Sequence, residues 1–263
     1  MAGKEKVGVC ALCGREEPLM QSHLIPKLVY RRIKKSGRFR SLDDINKIFQ
    51  DGEKRPMLCH GCEELFSSYE QNFAKTYLDT YLNEGKVRSH RDGLIENYII
   101  TVAWRILWDD LFRLNSFSGK WQRSLFEAFE KEMKSYLNSL GSHNGTYTGH
   151  CFINRVYRLT DLIRVPEYSA EFESVLFGYA NFFGSSYTFS VIVQYAGLVF
   201  VTDYVPQNNK FIVIGKKKWN FFKSIYRKGE IRKELYEYLK LMVEQRRRVI
   251  TPEVQNMIAN HYK

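Results

Sequence analysis

Nothing in this chain approaches a run of about 18 uninterrupted apolar residues, so no membrane-spanning helix is expected. The first residues, Met1-Ala2-Gly3-Lys4-Glu5-Lys6, carry no apolar signal core, and a soluble, cytoplasmic protein is the expectation. Cysteine is scarce: five in 263 residues are too few for a disulfide scaffold, which sets aside the small secreted classes. Acids are outnumbered, with 29 Asp+Glu against 40 Lys+Arg, and the resulting charge of +11 favours polyanionic partners such as nucleic acid. G-x-S-x-G, Walker A and H-E-x-x-H signatures are all missing, as are internal repeats and low-complexity linkers. An active site built wholly from residues 94 to 263 therefore has no motif behind it.

What is present describes a folded protein. Hydrophobic content of 44% and aromatic content of 15% argue against disorder, and the length suits one large domain, or a small module plus a medium one with a core in the larger part. The organisation changes near residue 90, giving residues 1–90 as a turn-rich, metal-patterned module and 91–263 as a larger domain. Residues 63 to 83 carry apolar positions at Leu65, Phe66, Tyr69, Phe73, Tyr77, Leu78 and Leu82, the stripe of an amphipathic helix. Helices are also expected over 94–114, 121–140 and 230–247. Strands are expected near 147–157, 172–183, 187–194, 197–203 and 210–214, with Gly184-Ser185-Ser186 and Ala196-Gly197 as turns. The fold class is α+β: a zinc-bound N-terminal module, then helices against a mostly antiparallel sheet. Trp104, Trp108, Phe182, Phe183 and Phe200 read as core aromatics.

Four of the five cysteines fall into two C-x-x-C pairs, Cys10/Cys13 and Cys59/Cys62. Two close thiolate pairs suit the tetrahedral shell of structural zinc, with His60 as the alternative to one thiolate. The second pair sits at a helix start, as in treble-clef zinc modules. Cys151, with His143 and His150, lies around a Gly/Asn loop and reads as exposed loop chemistry rather than a second metal site.

Between the pairs lies Ser22-His23-Leu24-Ile25-Pro26, read as a short apolar strand at Leu24 and Ile25 closed by proline. Together with Leu58-Cys59-x-x-Cys62-Glu63, this resembles the HNH endonuclease family with its zinc-stabilised ββα-metal fold, over residues 8 to 75. The resemblance implies that His23 activates the attacking water as general base. It also implies that Glu63, where the family carries His or Asn, holds a catalytic Mg²⁺ or Mn²⁺. Ser22 stands where the family has a metal-binding Asp. The family's middle Asn has no clear match, with Asn46, Asp43 and Asp44 as candidates. Read without the resemblance, His23 is a satisfied buried histidine and Glu63 a carboxylate favoured by a helix N-terminus.

Lys27, Arg31, Arg32, Lys34, Lys35, Arg38 and Arg40 follow with no acid among them, a pattern suited to holding a phosphate backbone or to a solvated basic face. Lys216 to Lys218 and Arg246 to Arg248 would extend such a footprint. The expected function is a metal-dependent endonuclease acting on nucleic acid, DNA ahead of RNA, in the manner of restriction or anti-phage effectors. Residues 91–263 would select substrate, bind a partner protein or form a homo-oligomer. The competing expectation is a non-catalytic zinc finger that binds nucleic acid or protein.

Overall fold

The computed structural model describes residues 6–33, 39–40, 48–49, 52–87, 93–113, 120–141, 152–163, 172–173, 175–183, 188–204 and 228–249. The N-terminal strands β1 (Val7–Val9) and β2 (Glu16–His23) pair antiparallel, and β2 pairs on its other edge with β5 (Lys54–Cys59). Helix α1 (Lys27–Ile33) follows β2, and the two-residue strands β3 (Phe39–Arg40) and β4 (Ile48–Phe49) pair with each other. Gly52 leads into β5 at φ +94°, and a Cβ there would stand 2.1 Å from the Tyr30 ring, so this approach of chain to α1 requires glycine.

The helix expected after the second cysteine pair is continuous: α2 (His60–Phe73), a π-helical turn (Ala74–Leu78) and α3 (Asp79–Glu84), closed by Gly85 in the left-handed region. Cys62, Phe66, Tyr69, Phe73 and Tyr77 line its buried face at helical spacing. The wider π turn lets the neighbours Tyr77 and Leu78 both be buried. This face packs on α4 (Gly93–Arg113), where Phe73 stacks on Tyr98 at 3.8 Å and Phe66 meets Trp104 edge-on. Helix α5 (Lys120–Gly141) packs on α4 in turn, with Trp104 Nε1 donating to Glu130 at 2.8 Å.

The second sheet has the order β6 (Phe152–Arg158), β9 (Leu198–Tyr204), β8 (Thr188–Tyr195), β7 (Phe177–Phe183), every neighbouring pair antiparallel. Its two-residue alternation feeds two cores. Phe189, Val191, Val193, Tyr195, Leu198 and Phe200 join the cluster of α2, α4 and α5, whereas Ile192, Val199 and Val201 join that of α6 (Leu159–Leu162) and α7 (Lys228–Val249). Helix α7 contributes Ile231, Leu235, Leu239 and Val243, spaced by four. The chain is thus mixed helix and antiparallel sheet. The helices over 94–114, 121–140 and 230–247 stand within three residues of their expected ends. Trp104, Phe183 and Phe200 are buried as core, and Trp108 and Phe182 are half-buried.

The strand near the first histidine differs from expectation. It ends at His23 rather than beginning there, and Leu24 and Ile25 are buried beyond it. Its order comes from ladder bonds to β1 and β5 rather than from an apolar run. Residues 210 to 214, 184 to 187, 142 to 151 and 216 to 218 lie outside the described residues. None of the described helices is long and apolar enough to cross a membrane.

The first core cluster runs without a break from Cys10 through α2, α4 and α5 to Tyr204, across the boundary expected near residue 90. A buried charge joins the two parts. Arg105 on α4, 1% exposed, donates through Nη1 to the carbonyl of His23 at 2.8 Å and through Nη2 to Glu70 on α2 at 2.5 Å, with its guanidinium 4.9 Å above the Phe66 ring. Removing one partner of a buried pair strands the other, at about 3–5 kcal/mol. Arg105→Ala should therefore lower the urea midpoint by that much stability with an unchanged denaturant slope, and a loss under about 1 kcal/mol would show that the pair does not bind the two parts together.

Candidate metal centre and the His23 end of the sheet

The first cysteine pair lies in a turn that follows β1. Gly14 N–H donates to the Cys10 carbonyl at 2.9 Å, Cys10 N–H to Arg15 at 2.8 Å, and Gly14 takes φ +76°, a conformation that glycine adopts without strain. This turn is tied to β5 by Ala11 N–H donating to the Met57 carbonyl at 2.9 Å. Strand β5 ends on Cys59, which is extended and caps α2, so Cys62 falls in the first helical turn. Cys10, Cys59 and Cys62 are buried.

The four sulfurs lie within 4.8 Å of one another, the only group of three or more potential metal ligands among the described residues. A zinc ion with Zn–S bonds near 2.3 Å separates tetrahedral sulfurs by about 3.8 Å. Cys13 Sγ and Cys59 Sγ stand 3.8 Å apart. The donor set and its spacing thus fit a structural zinc. His60, the alternative ligand, is exposed and pairs with Glu64 at 3.2 Å.

The electrostatics favour a cation here. The Cys10 thiol is pushed down to about 4 by the hydrogen bond from the Cys62 thiol first, with backbone bonds from Cys13, Cys59 and Leu12 adding to it against burial. Cys62 is pushed far up by the same bond and by burial. Arg15 Nε also donates to Cys13 Sγ at 3.5 Å.

Beyond the cysteines the β2–β5 ladder slips by one residue between Met20 and Gln21, leaving Met57 as the extra residue of a bulge. Past it, Ser22 stands opposite Arg55 and His23 opposite Lys54. Ser22 is fully buried, and its Oγ donates to Glu63 Oε2 on α2 at 2.8 Å. The residue before His23 thereby touches the carboxylate that follows the second cysteine pair. Glu63 also lies in the first turn of α2, where the helix dipole favours an anion. His23 as a residue is half-buried, its ring nitrogen Nε2 is inaccessible to solvent, and the ring stands 6.5 Å from the Tyr30 ring.

Two contacts at this end have no counterpart in the motif reading. One is the Arg105 bond to the His23 carbonyl, and the other is Arg55 Nε donating to the buried Asp109 Oδ1 at 2.7 Å. The signal for both was a cation and an acid four residues apart on a largely buried helix, where a charge has to be paired.

Of the basic segment, Lys27 and Arg31 are exposed on α1, while Arg32 is held by Asp79 of α3 at 2.5 Å. Lys34, Lys35 and Arg38 lie outside the described residues, as do Asp43, Asp44, Asn46, His143, His150 and Cys151. Arg40 belongs to β3 and Arg246 to Arg248 belong to α7, with their side chains not described.

Comparison with protein-family models, with curated proteins and with solved structures finds no match. The geometry of the cysteine cluster and of the Ser22–Glu63 pair carries the reading of the site.

Structural zinc sites contribute on the order of 10 kcal/mol or more to folding. Cys59→Ser should accordingly lose its zinc in elemental analysis and lower the melting temperature sharply. A variant equally stable and equally loaded would remove the metal centre from this account.

Proposed function

We propose that the chain is an HNH-like, metal-dependent endonuclease, with residues 1–90 as a zinc-clamped treble-clef module of the ββα-metal type. The observation that carries this reading is the 2.8 Å hydrogen bond from Ser22 to Glu63. It brings the residue beside His23 onto the acid beside Cys62, the juxtaposition that the resembled motif uses for chemistry on a phosphodiester.

In this reading a water oxygen attacks phosphorus, its proton passes to an imidazole nitrogen of His23, and one ester P–O bond breaks as the leaving oxygen takes a proton from solvent. Arg105 fixes the His23 backbone so that the ring is presented from a rigid strand end. Lys27 and Arg31, one helix turn apart on α1 just beyond His23, would hold flanking phosphates without reading sequence. Glu63 is the residue that would hold Mg²⁺ or Mn²⁺. Such an ion is commonly held by one or two carboxylates, with water and substrate oxygens completing the shell, so a single carboxylate meets the lower bound. When bound, the cation offsets negative charge on the phosphate oxygens. The sheet of β6 to β9 with α7 would then choose the substrate or a partner, in keeping with the restriction and antiviral effectors that the family supplies.

One observation favours the second reading, a non-catalytic zinc module binding nucleic acid or protein. The hydroxyl of Ser22 is a poor substitute for the family's Asp, and its proton is already committed to Glu63.

General-base catalysis is worth about 10²–10⁴-fold. His23→Ala should therefore lower cleavage of plasmid or single-stranded DNA with Mn²⁺ or Mg²⁺ by at least about a hundredfold, while zinc content and DNA affinity stay level. DNA binding without cutting by either protein would favour the second reading.

A further inference from the structure

The face of α4 that reaches the His23 end continues past it. Arg105, Trp108, Asp109 and Phe112 recur at i, i+3, i+4 and i+7 and so form one stripe of the helix. Arg105 holds the His23 carbonyl and Asp109 holds Arg55, the residue opposite Ser22 in the ladder. The last residue of the stripe is aromatic, and it lies against the other ring, Trp108, with the buried Asp109 between them in sequence. Trp108 and Phe112 stack nearly parallel, 10° between planes and 5.6 Å between centroids. Phe112 is 73% exposed, the most exposed of the large hydrophobic side chains among the described residues. At 1.5 Å rise per residue it stands about 10 Å along α4 from Arg105.

An exposed phenylalanine ring that a half-buried tryptophan supports from one side has its other face in water. Solvation gives no reason for such a ring, and the neighbours suggest its partner. Arg55, about a quarter exposed and paired with Asp109 and Glu53, is anchored to the same stripe, and Lys54 stands next to it opposite His23. The chain as a whole carries +11. An exposed aromatic face on a basic protein matches the chemistry of unpaired nucleic-acid bases, which stack on such rings irrespective of sequence.

We propose that Trp108 and Phe112 form a stacking platform for an unpaired base of single-stranded DNA whose backbone runs past Arg55 and Lys54 toward His23. The inference rests on the nuclease reading and adds to it a preference for unpaired over fully paired substrate. A base seated on Phe112 would fix the register of the strand relative to His23, so the platform sets which phosphate is presented.

The test is binding of fluorescein-labelled oligothymidylate, and of an abasic strand of the same length, followed by anisotropy without added Mg²⁺ or Mn²⁺. Wild type is compared with Phe112→Ala and Phe112→Trp. Phe112 is exposed, so neither change disturbs the core. Stacking is worth roughly 5- to 150-fold per base. Phe112→Ala should weaken oligothymidylate binding by that factor, leave the already weaker abasic strand unchanged, and be rescued by Phe112→Trp. Equal affinity of wild type and Phe112→Ala for oligothymidylate would overturn the platform, leave the nuclease reading standing, and turn the exposed pair into a candidate protein contact. Failure of wild type to bind either strand, with no cleavage of DNA, would overturn both.

Discussion

The convergence of Cys10, Cys13, Cys59 and Cys62 is the constraint on which the N-terminal half depends. Strand β1 exposes Val7 and Val9, and β2 is exposed or half-buried everywhere but at Ser22, so this sheet buries little apolar surface of its own. Small units of this kind need a staple. The sulfur cluster closes the long excursion from Gly14 to Leu58, sets β5 against β2 and fixes where α2 begins. The positions of Glu63 and Ser22 then follow from chain geometry, since one is the next residue of α2 and the other lies just past the bulge in the ladder.

Helix α4 carries that order into the rest of the molecule. It is largely buried, yet it bears Arg105, Asp109 and Asp110, each nearly inaccessible to solvent. Arg105 reaches β2 and α2, Asp109 reaches β5, and Asp110 accepts the Ala180 N–H of β7 at 2.7 Å. Apolar residues of similar size would pack α4 at less cost, because buried ion pairs gain little net stability. Their contribution is specificity of placement. Only one rotation and one height of α4 satisfy all three groups, which locks the cysteine-cluster end and the second sheet into one relationship.

The sequence made the helices legible because their periodicity is long and strong. The expected helix at 94–114 becomes 93–113, and the stripe through residues 63 to 83 even contains its anomaly, the adjacent Tyr77 and Leu78 that the π turn accommodates. Strand β2 was less legible, since Pro18 and the polar residues around it show no clean alternation, and the strand is held by its neighbours on both edges. Helix α1 was hidden under its own charge: Lys27, Arg31 and Arg32 read as a patch, while Val29 and Tyr30 bury the opposite face. The cysteine spacing announced the convergence of the four sulfurs directly. The contacts that orient the His23 end were not legible, because Ser22 meets Glu63 and Arg105 meets His23 only through tertiary packing, and no local pattern encodes a partner so far along the chain.

Coordination of the ion itself tests the central claim most directly. X-ray absorption at the zinc edge of the purified protein should show a shell of four sulfurs at about 2.3 Å and no nitrogen or oxygen ligand. A mixed shell with nitrogen near 2.0–2.1 Å would put a histidine in place of a cysteine. Protein that is folded without zinc would contradict the account at its base.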